Sequence, residues 1–114
     1  MAIWINPEPT NLAGNHRTRA AYGPITEHIV DDSAAVEAVA SAAGTRFLTI
    51  VNLGPDVVKF KLNGTASAAD FNNMLPKGYN DTLFQLADGE NLSLICDAGK
   101  TATVRTAIAL EVAV

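Results

Sequence analysis

The chain has 114 residues and a net charge of −4, with 48% hydrophobic, 18% charged and 6% aromatic side chains. That is enough for one domain with one core, and the acidic balance excludes bulk nucleic-acid binding, which needs a basic surface. The single cysteine, Cys96, excludes an internal disulfide and a zinc cluster.

Residues 1–24 read as an extended arm, not as a folded element. Pro7, Pro9, Gly14, Gly23 and Pro24 break every helical or strand period. Yet Ile3, Trp4, Ile5, Leu12 and Tyr22 are apolar anchors that a free tail does not need. The arm holds Arg17 and Arg19 against Glu8, a net of +1, while the other 90 residues carry six bases and eleven acids, a net of −5. In an extended segment Arg17 and Arg19 lie on one side. A basic, anchor-bearing arm on an acidic body is expected to dock on an acidic neighbour, the alternatives being packing against its own domain or mobility. The N-terminus has no basic leader region, and no run approaches the roughly 18 apolar residues of a membrane span. The expected setting is a cytoplasm, or an assembly built there.

The domain, residues 25–114, opens with a strand at 25–30, for which Ile25, Ile29 and Val30 are the candidate core contacts. Residues 34–43 fit either a short Ala-rich helix capped by Ser33 or a strand lined by Val36, Ala38 and Ala40; the β pattern around them favours strand. Residues 45–64 organise the rest. Phe47, Leu48, Ile50, Val51 and Leu53 are apolar on both faces, as in a strand buried on both sides or sealed by a neighbouring subunit. Gly54-Pro55-Asp56 predicts a tight turn. Val58, Phe60 and Leu62 then alternate with Val57, Lys59 and Lys61. The two strands read as a hairpin to which the others are added.

Beyond Asn63-Gly64, Ser67-x-x-Asp70 resembles a capping box and allows one or two helical turns before Pro76. Residues 82–87 form a strand, Asp88-Gly89 a second hairpin turn, and 91–96 a strand with Leu92, Leu94 and Cys96 on one face. Residues 101–114 are the longest alternator, with Ala102, Val104, Ile108, Leu110, Val112 and Val114 on one face and a bulge allowed near Thr106-Ala107. About seven or eight short strands punctuated by turns predict an all-β sandwich or jelly roll. So light a core, poor in aromatics, gains from a shared interface, since burial stabilises by roughly 25 cal/mol per Å².

Site chemistry is sparse. Gly99-Lys100-Thr101 lacks the upstream glycine of a phosphate-binding loop, and a strand follows it instead of a helix. The sequons at Asn63, Asn80 and Asn91 read as turn composition. His16 and His28 are not spaced to converge on a metal, and Asp31-Asp32 with Glu27 or Asp97 falls short of the about six oxygens calcium takes. No serine sits in a G-x-S-x-G elbow. Cys96 reads as a buried, inert thiol. No catalytic residue, cofactor or metal site is expected, and a cupin-type enzyme lacks its histidines.

Two stretches do carry a resemblance. Arg46-Phe-Leu-Thr-Ile-Val-Asn-Leu-Gly54 with Val57-Val-Lys-Phe-Lys-Leu-Asn-Gly64, and Asp97-Ala-Gly-Lys-Thr-Ala-Thr-Val-Arg105, resemble the R-x-L-x-I-x-N-x-G strand, its V-x-V/F partner and the terminal strand of small β-sandwich virion proteins of tailed bacteriophages. Leu75-Pro-Lys-Gly78 matches their L-x-x-G turn. The resemblance covers residues 46–106, about half the chain. It implies a capsid decoration (cement) protein, a homotrimer bound to the major capsid protein on the virion surface and assembled in the bacterial cytoplasm. The arm lies outside it; Trp4, Arg17, Arg19 and Tyr22 are the expected partner contacts, because aromatic and arginine anchors dominate interfaces. The competing reading is a tail or fibre module binding a host receptor or glycan through residues 65–80, with Tyr79 and Asn80 facing the sugar.

Overall fold

The computed structural model describes residues 19–112, and side chains within residues 23–109. Nine strands fill it: β1 Arg19–Tyr22, β2 Thr26–Val30, β3 Val36–Val39, β4 Arg46–Pro55, β5 Val58–Leu62, β6 Asn73–Leu75, β7 Asn80–Leu86, β8 Leu92–Cys96 and β9 Ala102–Val112. One sheet runs β1-β9-β4-β7, with β2 also on β9; the other runs β3-β8-β5-β6. Every pairing is antiparallel. Strands β2 to β9 thus make two four-stranded sheets in jelly-roll order, with β1 added end to end with β2 along β9. No helix occurs among the described residues.

The core lies between the sheets. Leu48, Ile50, Leu86 and Val104 from one meet Val58, Leu75, Leu92 and Leu94 from the other, all at 1% exposure or less. Phe60 and Phe84 meet edge to face across the gap, their rings 5.4 Å apart. This is an aliphatic core with one aromatic contact, as the composition requires.

Residues 45–64 are not a hairpin. Strand β4 pairs with β7 and β9, and β5 with β6 and β8, so Gly54-Pro55-Asp56 carries the chain from one sheet to the other. The buried Asn52 side chain shapes this corner. Its Nδ2 donates to the Asp56 and Leu75 carbonyls at 2.9 and 2.8 Å, and its Oδ1 accepts from Gly54 N at 2.8 Å. Gly54 takes φ +87°, which a side chain adopts only with strain, and a Cβ there would sit 2.8 Å from Lys77. Asp88-Gly89 likewise joins β7 to β8 across the sandwich. A turn dipeptide fixes where the chain reverses, not which strand it then meets.

Other local expectations also change. Of the three candidate core contacts near β2, only Val30 is buried; Thr26, His28 and Val30 alternate inward, leaving Ile25 and Ile29 outside. Residues 36–39 are a strand, but its register on β8 shifts between Glu37 and Val39, so Val39 rather than Ala40 enters the core. Strand β9 runs without a break through Thr106-Ala107; the register on β4 shifts instead between Asn52 and Gly54. Ser67 and Asp70 make half of a capping box: Asp70 N donates to Ser67 Oγ at 3.0 Å, but Ser67 N donates to the Asp70 backbone carbonyl at 2.9 Å and not to its carboxylate, around a turn that no helix follows.

Candidate interaction surface

Alternation gives each sheet an outer face, and the two differ. On the four-stranded sheet the outward positions of β5 and β8 are Lys59, Lys61, Ser93 and Ile95. The connection 63–72 folds back over them. Ala66 is buried there and donates its backbone N–H to Ser93 Oγ at 2.9 Å. Lys59 reaches the Ala68 carbonyl at 2.9 Å and Asp97 at 2.7 Å, with its ammonium 4.4 Å from the centre of the Phe71 ring. Lys61 meets Asp70 at 2.6 Å. Ser93 and Ile95 are consequently only 2% and 9% exposed, and all five residues of β8 are buried.

The outer face of the other sheet has no such cover among the described residues. Strand β4 places Phe47, Thr49, Val51 and Leu53 outward; Ile25 and Ile29 flank Glu27 beside β2, and Leu83 stands on β7. Ile29 is 65% exposed, Leu83 67%, Leu53 47% and Phe47 40%. Exposed apolar side chains are ordinary one at a time; this many on one sheet face is not. Glu27 and Arg105, on neighbouring strands, are the ionised side chains on this face among those described, 3.9 Å apart and each half exposed. The sequence pattern showed β4 as apolar on both faces. It assigned Ile25 and Ile29 to the core and did not single out Leu83, although the inward parity of Thr26, His28 and Val30 was the available signal for the first two.

One edge of this sheet, β7, is blunted; β1 and β2 form the other. Asp81 Oδ1 accepts from Leu83 N at 2.9 Å, and Glu90 Oε1 accepts from Ala87 N at 2.8 Å, so carboxylates take amides that an added strand would use. The corner above it is stapled by Arg46. Its guanidinium donates to the carbonyls of Glu90 at 2.6 Å, Ala40 at 3.0 Å, Gly44 at 3.3 Å and Ala87 at 3.4 Å. In R-x-L-x-I-x-N-x-G as it stands here, Arg46 and Asn52 therefore bind backbone, Leu48 and Ile50 fill the core, and Gly54 turns the corner. The motif builds the fold and leaves no side chain aimed at a ligand.

Of the expected partner contacts, Trp4 and Arg17 lie outside the described residues. Arg19 and Tyr22 open and close β1, whose backbone pairs with residues 109–112 of β9, so part of the arm continues the sheet. Tyr79 is partly buried against the core and donates its hydroxyl to Asp81 at 3.2 Å; Asn80 is exposed on β7. His28 Nε2 lies 3.0 Å from Thr106 Oγ1, and burial holds its imidazole below the ordinary 6.5. Cys96 is buried; burial first, then the carboxylates of Asp56, Asp31, Asp97 and Asp32, push its thiol up to about 11. The aspartates are engaged in turns: Asp31 accepts from Ser33, which lowers its pKa, Asp32 from Gly99 N, and Asp97 holds Lys59. Among the described residues no group of three or more His, Cys, Asp or Glu is placed to hold a metal ion, and no helix is long and apolar enough to cross a membrane. No family model, curated protein or solved structure matches the chain.

Proposed function

We propose that this protein is a structural component of a phage virion, binding the outside of the capsid through the major capsid protein and stabilising the shell as a cement protein. The open apolar face of the β1-β9-β4-β7 sheet carries the assembly part of this reading, because it is a surface suited to contact between protein subunits. The jelly-roll order agrees with it by analogy, since capsid domains are among those built this way. The basic arm supplies the attachment: Trp4, Arg17, Arg19 and Tyr22 are its proposed contacts on an acidic capsid neighbour.

The test is cosedimentation with capsids stripped of accessory proteins, using the full chain and a form starting at Arg19, which keeps β1. The full chain is expected to pellet with capsids and to raise the temperature at which they open. The shortened form is expected to stay in the supernatant. Binding by the shortened form removes the role of residues 1–18, and failure of the full chain to bind removes the function.

A further inference from the structure

We infer that a second copy of this chain covers the outer face of the β1-β9-β4-β7 sheet. The inference deepens the assembly reading above and names the partner at that face. Charge selects the occupant. Within residues 23–109, this face carries one acid and one base, Glu27 and Arg105, and is neutral; the remainder carries nine acids against five bases. Two copies therefore repel through most of their surfaces, and this face is where they approach without that penalty. Each copy also brings both members of the Glu27–Arg105 pair, so the face complements itself. A strongly basic partner would be drawn to the acidic remainder instead.

Two alternatives for self-contact are disfavoured by the same structure. Edge-to-edge addition at β7 is countered by the Asp81 and Glu90 carboxylates on its amides. The outer face of the β3-β8-β5-β6 sheet lies beneath the chain's own 63–72 connection over β5 and β8, with Met74 of β6 exposed at its margin. The open face is four strands wide; at about 4.8 Å per strand and about 20 Å of length it offers roughly 400 Å² in projection. That is about half of the roughly 800 Å² per partner typical of stable complexes, so the association is reversible and follows concentration. Whether the copies close as a pair or as the ring of three implied by the resemblance, this face is the part of each that is covered.

Light scattering on the full chain across a hundredfold concentration range tests this, with Ile29→Lys and Leu83→Lys as face variants and Met74→Lys, exposed on the other sheet, as control. All three positions are exposed, and far-ultraviolet circular dichroism and melting confirm that each variant is folded. The wild type and the control are expected to rise above the monomer mass of 12.0 kDa with concentration. The two face variants are expected to remain at it, a loss of at least tenfold in association constant. A wild type that stays monomeric throughout, or folded face variants that still associate, overturns the inference. Self-association without capsid binding leaves it standing and removes the cement reading; capsid binding by a strict monomer does the reverse.

Discussion

The two sheets expose outward faces of the same pleated backbone and treat them in opposite ways. Over the β3-β8-β5-β6 sheet, ten residues of connection bury Ser93 and Ile95 and engage both Lys59 and Lys61. Over the β1-β9-β4-β7 sheet, Ile29, Phe47, Leu53 and Leu83 are left against solvent. The first face is largely covered by the chain's own connection, with Met74 exposed at its margin; the second has no such cover among the described residues. A sandwich needs two inner faces to fold, and what it does with its outer faces is where stability separates from assembly.

The largest expected effect tests the element that sets both faces, the corner between the sheets. Asn52→Ala removes three hydrogen bonds and leaves the Asp56 and Leu75 carbonyls without their partner. A loss of about 3 kcal/mol is expected in chemical denaturation. A loss below about 1 kcal/mol would show that the corner holds without its amide.

Next come matched truncations on the two outer faces. Ile95→Ala is expected to cost about 2–4 kcal/mol, as for a buried isoleucine. Ile29→Ala is expected to change monomer stability by no more than about 0.5 kcal/mol. Equal losses, measured at concentrations where the protein is monomeric, would erase the distinction.

A smaller effect is expected at the fastening of the loop. Lys59→Met loses the Asp97 pair, the Ala68 bond and the contact over Phe71, yet keeps the buried stem. Because Asp97 is half exposed, about 1 kcal/mol is expected, shrinking in high salt. Faster amide exchange confined to residues 63–72 is the accompanying sign.

The smallest effect is a pH dependence. Burial favours the neutral His28 imidazole, so its folded pKa lies below the unfolded value near 6.5. The unfolded chain therefore takes up the proton first. This contribution to stability is complete above 6.5, falls as pH drops below it, and is lost once pH passes the folded pKa. His28→Gln is expected to flatten that part of the stability profile; an unchanged profile would assign the slope to other groups.

Much of the fold was legible because period-2 patterning survives wherever one face is buried. The long alternation of β9 and the apolar run of β4 identified the central strands, and the spacing of turns identified the sandwich. Strand β6 was missed because it is three residues long and two of them, Asn73 and Met74, are exposed. The hairpin reading failed because Gly-Pro-Asp and Asp-Gly mark reversals equally well within a sheet and between sheets. Ile25 and Ile29 looked like core because hydrophobicity alone does not say which parity faces inward; His28 and Thr26 do, and polar residues at inward positions hide that signal. The double-sided apolarity of β4 was the one trace of the open face in the sequence.

Hydroxyl-radical footprinting of the full chain at low and high concentration addresses the contrast between the two faces most directly. Phe47 and Leu83 are expected to lose oxidation as concentration rises, while Phe71 and Met74 on the other sheet keep theirs. Protection of Phe71 or Met74 without protection of Phe47 and Leu83 would contradict the account, because it would place the contact on the β3-β8-β5-β6 sheet.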